Sequence, residues 1–312
     1  MNLTHQSISQ ISKLLSNGDI TSVELTKACL SNIESSNKLI NAFVSTCADL
    51  AIQQAHIADK AWQTWINDQT NTKPSLINGI PLGIKDVLCM SNVITSAGSK
   101  MLQNFIPNYD CTAVTHLKNA GAILLGKTNT DEFAMGSSTE TSVFGPTRNP
   151  WNTERVPGGS SGGSTASVSA QMSYGALGTD TGGSIRQPAA MCGVVGFKPT
   201  YGRVSRSGLI AFSSSFDQIG TITKTVEDAA ILSQIICGHD PKDSTTTIDK
   251  NNNYFDNLSK TTSLKNINIG IDENQFNKNV QPEIKHCVMD ALKTLEQLGA
   301  NLISIELPHT EY

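Results

Sequence analysis

Short apolar runs return at intervals along the chain from residue 80 onward, separated by stretches of helical or glycine-rich character. Each run is shorter than a typical helix, so the pattern predicts buried strands joined by helices and loops. Alternation of this kind is typical of α/β proteins, in which helices cover a sheet. The runs occupy residues 80–87, 122–125, 174–177 and 194–197.

Helix signals lie on both sides of these runs. Thr21 and Glu24 have the spacing of a capping box, which predicts a helix over residues 22–35. A second helix is expected over about residues 47–66, and Thr225 precedes a third that Gly238 ends. We therefore expect N-terminal helices over about residues 1–70, packed on an α/β core over about residues 75–312.

The C-terminal region combines a polar stretch with a β-α-β pattern. Residues 240–265 are polar and predict a long surface excursion. Strand, helix and strand are then expected at 267–271, 282–298 and 302–307. Since a parallel strand normally has neighbours, we expect that the C-terminal part of the domain is missing from this sequence.

Charge, cysteine spacing and hydropathy exclude several classes of protein. The 312 residues carry a net charge of -4, so any contact with tRNA or DNA is expected to come mainly from a partner. Seven cysteines without a CxxC pair predict reduced, partly buried thiols and no metal site. The sequence has neither a secretory leader nor an apolar stretch of about eighteen residues, which predicts a cytoplasmic protein.

Two serines framed by glycines suggest a single active site. Ser160 lies within residues 158–164 (GGSSGGS), and Ser184 follows Gly182 and Gly183. A serine after paired glycines is open to close approach by a substrate, and the neighbouring N–H groups are free to bind an oxyanion. A flexible linker is the alternative for 158–164, but the small residues after it predict a buried helix. These features favour acyl transfer.

A nucleophilic serine needs a base, which is usually histidine. None of the six histidines lies in the glycine-serine region. Lys85 is the alternative because it ends an apolar run, although a strand-end lysine ordinarily reaches to water. With its free pKa of about 10.4, a lysine acting as base at pH 7 is handicapped by about 4.6 kcal/mol. Burial against the apolar run would lower that pKa and reduce the handicap.

One motif competes with this interpretation. Residues 121–128 match the phosphate-loop pattern G-x-x-x-x-G-K-T, with Lys127 as its lysine. The four middle residues are apolar and predict a strand instead of an open loop, and acidic residues follow where phosphates would lie. We therefore expect no ATP site here. A nucleotide-binding protein or an inactive scaffold is the competing class.

Three blocks of the sequence together resemble the amidase signature family. They are residues 83–86 (GIKD), 158–164 and 180–188 (DTGGSIRQP). The resemblance extends through essentially the whole chain. It implies one amidase domain over residues 1–312, with a large mixed, twisted sheet covered by helices on both faces.

The resemblance also implies a role for each site residue. Ser184 would be the nucleophile, Ser160 would relay the proton next to a cis peptide bond, and Lys85 would be the base. An oxyanion hole would be formed by the backbone N–H groups of Thr181, Gly182, Gly183 and Ser184. No metal and no cofactor are expected in this chain, and the substrate-binding residues are not identified.

Further stretches resemble one branch of the family, the A subunits of glutamyl-tRNA(Gln) amidotransferases. These are residues 128–140, 198–206 and 213–220. The branch implies a glutaminase that supplies ammonia to B and C subunits of a heterotrimer, which amidates Glu-tRNA(Gln) with ATP and Mg²⁺ bound by a partner. Members of the branch are longer, and their C-terminal part supplies much of the glutamine pocket. A stand-alone amidase for another small carboxamide is the alternative.

Overall fold

The structure, a computed structural model, describes residues 3–248, 253–258, 263–276 and 280–311. Its backbone contacts divide the chain into two units, Met1–Tyr254 and Phe255–Tyr312. The first unit contains a mixed sheet of six strands flanked by helices. This confirms the expected α/β class with a mixed sheet. The expectation of one domain with a missing C-terminal part stays a prediction.

The sheet has a parallel centre and antiparallel edges. Its order is β1-β3-β2-β4-β6-β5, with β2 parallel to β3 and β4 and the other pairs antiparallel. Every residue of β2, β3, β4 and β6 is buried. The strands are β1 (Phe43–Thr46), β2 (Pro81–Lys85), β3 (Ile123–Thr128), β4 (Gly175–Asp180), β5 (Val195–Phe197) and β6 (Gln218–Thr223). The four predicted runs correspond to β2, β3, β4 and β5, whereas β1 and β6 were not predicted.

Local signals explain where several helices begin. The predicted capping box is present, since Thr21 accepts from the backbone of Glu24 and Glu24 accepts in return. Thr225 caps its helix through Asp228. The helices of this part of the chain are α1 (Ile8–Asn17), α2 (Ser22–Ile40), α3 (Ala48–Asn67), α4 (Thr112–Asn119), α5 (Gly162–Ser169), α6 (Arg186–Cys192) and α7 (Val226–Ile236). The helices expected at 22–35 and 47–66 are thus confirmed as α2 and α3.

The later segment is only partly as expected. α8 (Tyr254–Leu258) precedes β7 (Asn268–Ile271), α9 (Pro282–Gln297) and β8 (Asn301–Ser304). β7 and β8 are parallel, which confirms the β-α-β unit. The surface excursion expected over 240–265 agrees with most of 240–248, where five residues are exposed, although Asp240 and Asp243 are buried. Their carboxylates accept hydrogen bonds from other parts of the chain, and residues 249–252 and 259–262 lie outside the described residues.

The cysteines carry free thiols. All seven cysteines are free, and they range from fully buried to exposed Cys287. In the part of the chain that the structure describes, no helix has both the length and the apolar character needed to cross a bilayer.

Candidate active site

Lys85 ends β2 with its side chain fully buried among hydroxyl groups. Its Nζ lies 2.7 Å from Ser160 Oγ and 2.8 Å from Ser161 Oγ. Thr179 Oγ1 on the neighbouring strand β4 is 2.9 Å away. The exposed fraction of Lys85 is 0%, so the side chain does not reach water as an ordinary strand-end lysine would. The structure therefore brings together Lys85 and Ser160, two of the three expected catalytic side chains.

The surroundings of Lys85 oppose its charge. Burial lowers the pKa of Lys85 to about 7, while the carboxylates of Asp131, Asp180 and Asp217 act in the opposite direction. Desolvation penalises the charged amine because no water replaces its hydration shell. At neutral pH about half of the molecules then hold an uncharged amine, and most of the handicap of a lysine base is removed.

Ser160 lies in a crowded turn before α5, which we call the Ser160 turn (residues 158–161). The peptide bond between Gly159 and Ser160 is cis. A Cβ atom on Gly159 would lie 2.8 Å from the backbone nitrogen of Ser138 and 2.9 Å from that of Thr139, so only glycine fits. Thr139 Oγ1 donates to the carbonyl of Gly158 and accepts from the N–H of Gly162. The turn is thus packed and bonded on both sides.

Ser184 lies in the turn between β4 and α6, which we call the Ser184 turn (residues 181–185). Asp180 fixes this turn, because its carboxylate accepts from the N–H groups of Ile185 and Arg186 and from the Arg186 guanidinium. The N–H of Ser161 donates to the carbonyl of Ser184 at 3.1 Å and joins the two turns. Both turns border a cavity of about 280 Å³. Its lining residues include Gly159, Thr181, Gly182, Gly183, Ser184 and Gln187.

The expected oxyanion hole lies on the wall of this cavity. Within the described ranges, no protein acceptor bonds to the N–H groups of Thr181, Gly182, Gly183 or Ser184. Gly183 has a φ of 147°, a conformation that favours glycine. Gly182 has no atom within 4 Å of where a Cβ would stand. Unused backbone donors beside an open space suit the stabilisation of an oxyanion.

Two buried carboxylates near the cavity had not been identified from the sequence. Asp217 accepts from Thr181 Oγ1 at 2.5 Å and from the N–H of Phe212 at 2.9 Å. Asp131 accepts from the N–H of Thr139 at 2.9 Å and from the N–H of Glu140 at 3.1 Å. Each carboxylate holds a cavity-lining loop through backbone or hydroxyl donors.

Lys127 of the phosphate-loop motif belongs to the interior of the sheet. Its side chain is fully buried on β3, and it donates to the backbone carbonyl of Leu88 and to Thr95 Oγ1. The residues that would form a phosphate loop are instead a buried strand, Ile123–Thr128. This confirms the strand expected from the apolar residues of the motif.

Comparison with known proteins finds the amidase family and subunits of an amidotransferase among the relatives of this chain. The family described as Amidase matches residues 24–312. The A subunit of glutamyl-tRNA(Gln) amidotransferase from Lawsonia intracellularis is 50% identical over 305 residues, which are 98% of this chain and 61% of that protein. The protein of the same name from Coxiella burnetii is 49% identical over 309 residues, 99% of this chain and 62% of the relative. The chain therefore spans about three fifths of the length of these relatives.

Solved structures with the same fold include enzymes with different names. The A subunit of glutamyl-tRNA(Gln) amidotransferase from Thermotoga maritima has a TM-score of 0.84 and 41% identity, covering 99% of this chain and 63% of that one. Peptide amidase of Stenotrophomonas maltophilia has a TM-score of 0.86 and 32% identity, covering 98% and 63%. The fold is thus shared by proteins whose names indicate different amide substrates.

Proposed function

Because the chain belongs to the amidase family, we propose that it hydrolyses the side-chain amide of glutamine and supplies the ammonia to a tRNA-dependent amidotransferase. Two relatives that align with nearly the whole chain at about 50% identity carry the name of the A subunit of such an enzyme. The observation that carries the proposal is the 2.7 Å contact between Lys85 Nζ and Ser160 Oγ in a fully buried cluster.

The first chemical step forms an acyl-enzyme. Ser184 Oγ bonds to the amide carbon while its proton passes to Ser160, and Ser160 passes its own proton to the neutral amine of Lys85. The amide oxygen takes the electron pair of the C=O π bond and becomes an oxyanion. The backbone N–H groups of Thr181, Gly182, Gly183 and Ser184 are the donors that would stabilise it.

The second half of the reaction releases the products and returns the enzyme to its starting state. The C–N bond breaks as the leaving nitrogen takes a proton from Lys85 through Ser160, and ammonia departs from a glutamyl ester on Ser184. A water molecule then attacks the ester carbon and gives its proton to Lys85 by the same route. The proton returns to Ser184 as the ester bond breaks, so glutamine and water have become glutamate and ammonia.

The remaining chemistry of the proposed assembly belongs to partners. B and C subunits would complete a heterotrimer that amidates Glu-tRNA(Gln). One of these partners would bind the ATP and Mg²⁺ that the reaction uses. The assembly would act in the cytoplasm, where aminoacyl-tRNA is used. The net charge of -4 supports this division of roles, because a negatively charged chain provides no positive field that would attract the phosphates of tRNA. The burial of Lys127 in β3 supports it as well, since the phosphate-loop motif cannot hold a nucleotide there.

Covalent trapping tests the assignment of the nucleophile. The protein is treated with a diazoketone analogue of glutamine, and labelled peptides are identified by mass spectrometry. We expect the label on Ser184 in the wild type and none in Ser184→Ala. Ser31→Ala is the matched control, because Ser31 is exposed on α2. A label on any other residue of the wild type contradicts the assignment.

The substrate is tested separately from the triad. A stand-alone amidase for another small carboxamide is the second candidate, supported by the likeness to a peptide amidase at 32% identity. Both candidates use the same three side chains, so glutamine hydrolysis is measured with and without the partner proteins, ATP and Glu-tRNA(Gln). Stimulation by the partners is expected for the amidotransferase. Hydrolysis that the partners do not raise favours the second candidate.

A further inference from the structure

Gln187 stands where the two serine turns approach each other. It lies in the first turn of α6 and lines the cavity beside Ser184. Its backbone N–H donates to the carbonyl of Gly183 at 2.8 Å, which ties it to the Ser184 turn. The mechanism above assigns no role to its side chain.

The side-chain amide of Gln187 makes a hydrogen bond with each of its polar ends. Oε1 accepts from the N–H of Gly159 at 2.9 Å, and Nε2 donates to the carbonyl of Ser137 at 3.0 Å. A reversed amide would place its oxygen against a carbonyl and its NH₂ against an N–H, so these partners fix its orientation. One side chain therefore joins the Ser184 turn, the Ser160 turn and the loop at Ser137.

Packing supports the same connection. A Cβ atom on Gly158 would lie 2.6 Å from Gln187 Oε1 and 2.7 Å from the Cα of Pro188. The Ser160 turn thus rests directly on the start of α6, where even a methyl group has no space. Any movement of Gln187 would change the position of the peptide that immediately precedes Ser160.

We propose that Gln187 is a positioning residue that holds the Ser160 and Ser184 turns in register, so that a proton can pass between the two hydroxyls. It acts through Gly159 and Ser137 and does not act on the reacting atoms. The inference rests on the proposed function, because it requires that Ser184 be the nucleophile. Small errors in the placement of reacting groups cost large factors in rate, which is why one bridging amide has a measurable effect.

The chemical test uses Gln187→Met, which keeps the length of the side chain and removes both hydrogen bonds. Ser184 is sulfonylated with phenylmethanesulfonyl fluoride, a probe that does not depend on recognition of glutamine. The Ser184 oxygen bonds to sulfur, the S–F bond breaks, fluoride leaves and the proton passes through Ser160 to Lys85. We expect the maximal rate constant to fall about tenfold while the half-saturating reagent concentration stays the same. Gln103→Met is the control, because Gln103 is exposed and lies outside the cavity lining.

A structural test measures the bridge, by which we mean the hydrogen bonds of the Gln187 side chain to Gly159 and Ser137, without any chemistry at Ser184. Hydrogen exchange of the Gly159 amide is measured in the wild type and in both methionine variants. Faster exchange is expected in Gln187→Met alone. Gln187→Glu keeps an acceptor for Gly159 but places an oxygen against the Ser137 carbonyl, so exchange of its Gly159 amide should lie between those of the wild type and Gln187→Met. Exchange equally fast in Gln103→Met and Gln187→Met would overturn the bridge.

The two tests separate the possible failures. Faster Gly159 exchange with unchanged sulfonylation would overturn the positioning role while leaving the bridge in place. Unchanged exchange in Gln187→Met would overturn the bridge itself. Absence of wild-type labelling at Ser184 would overturn the proposed function and the positioning role together, and hydrogen exchange would still decide whether the bridge exists.

Discussion

Lys127 Nζ faces the carboxylate of Asp86 at 3.8 Å, with 0% and 1% of the two side chains exposed. Asp86 also accepts from the backbone and hydroxyl of Ser96 and from the N–H of Gly98. Loss of one partner of such a buried pair is destabilising, because the remaining charge alone is costly in the interior. Asp86 directly follows Lys85 at the end of β2, and Lys127 lies on the neighbouring strand β3.

Replacement of one partner of this pair should destabilise the protein. We expect Lys127→Met to lower the free energy of unfolding by about 3–5 kcal/mol, since Asp86 would lose its counter-charge. The double variant Lys127→Met/Asp86→Asn should recover part of that loss, and Lys100→Met is the control at an exposed lysine. Urea unfolding provides the measurement. Normal stability of Lys127→Met together with lost ATP binding would instead support a nucleotide-binding protein.

The rate of acylation should follow the titration of Lys85. Only the neutral amine can accept a proton, and burial lowers the pKa of Lys85 to about 7. We expect the labelling rate of Ser184 to rise about tenfold per pH unit below pH 7 and to level off above it. Lys85→Met should lose several orders of magnitude of rate along with this dependence. A rate in the wild type that does not change across this range would contradict a lysine base.

The titration of Lys85 should also appear in the pH dependence of the free energy of unfolding. Unfolding returns the pKa of Lys85 from about 7 to its ordinary value of 10.5. Between these values the unfolded chain binds the additional proton, so this contribution to the free energy of unfolding increases as the pH rises. Relative to Lys85→Met, the wild type should gain about 2 kcal/mol between pH 7 and pH 9. An equal pH dependence in both proteins, measured by urea unfolding, would exclude the shift.

Two glycines of the site should respond differently to alanine. At Gly159 an added Cβ would contact backbone nitrogens at 2.8 and 2.9 Å, whereas at Gly182 it would meet nothing within 4 Å. Gly159→Ala should therefore lower the free energy of unfolding by about 1–3 kcal/mol through overpacking. Gly182→Ala is the matched control and should unfold like the wild type. Equal stability of the two variants would show that the Ser160 turn is not crowded.

Apolar continuity determined which strands could be predicted. β2 and β3 contain runs of branched apolar residues, and their burial follows from hydropathy alone. β6 (QIGTIT) mixes threonine, glycine and glutamine, although all six residues are buried. Its polar side chains are buried because other parts of the chain supply their partners, as Val204 and Gly202 do for Gln218. A periodicity argument has no access to such distant bonds.

The candidate active site also contains some residues that local sequence could predict and others that depend on distant contacts. Glycine framing drew attention to Ser160 and Ser184, and the burial that a lysine base would need is present at Lys85, where the ordinary expectation was a side chain that reaches to water. Ser161 and Thr179 also contact Lys85, yet nothing in their local sequence separates them from other small polar residues. Thr179 lies on β4 and Ser161 precedes α5, so their contacts depend on which parts of the fold face the end of β2, which is a tertiary relationship.

Burial of the whole of β2 has a consequence for the timing of the reaction. Lys85 and the three hydroxyls that contact it have almost no exposed surface, and the strand lies between β3 and β4. Acids dissolved in the medium therefore have no direct contact with the amine. The speed at which the base is reset between turnovers is then governed by proton movement inside the protein, and buffer concentration should have little influence on it.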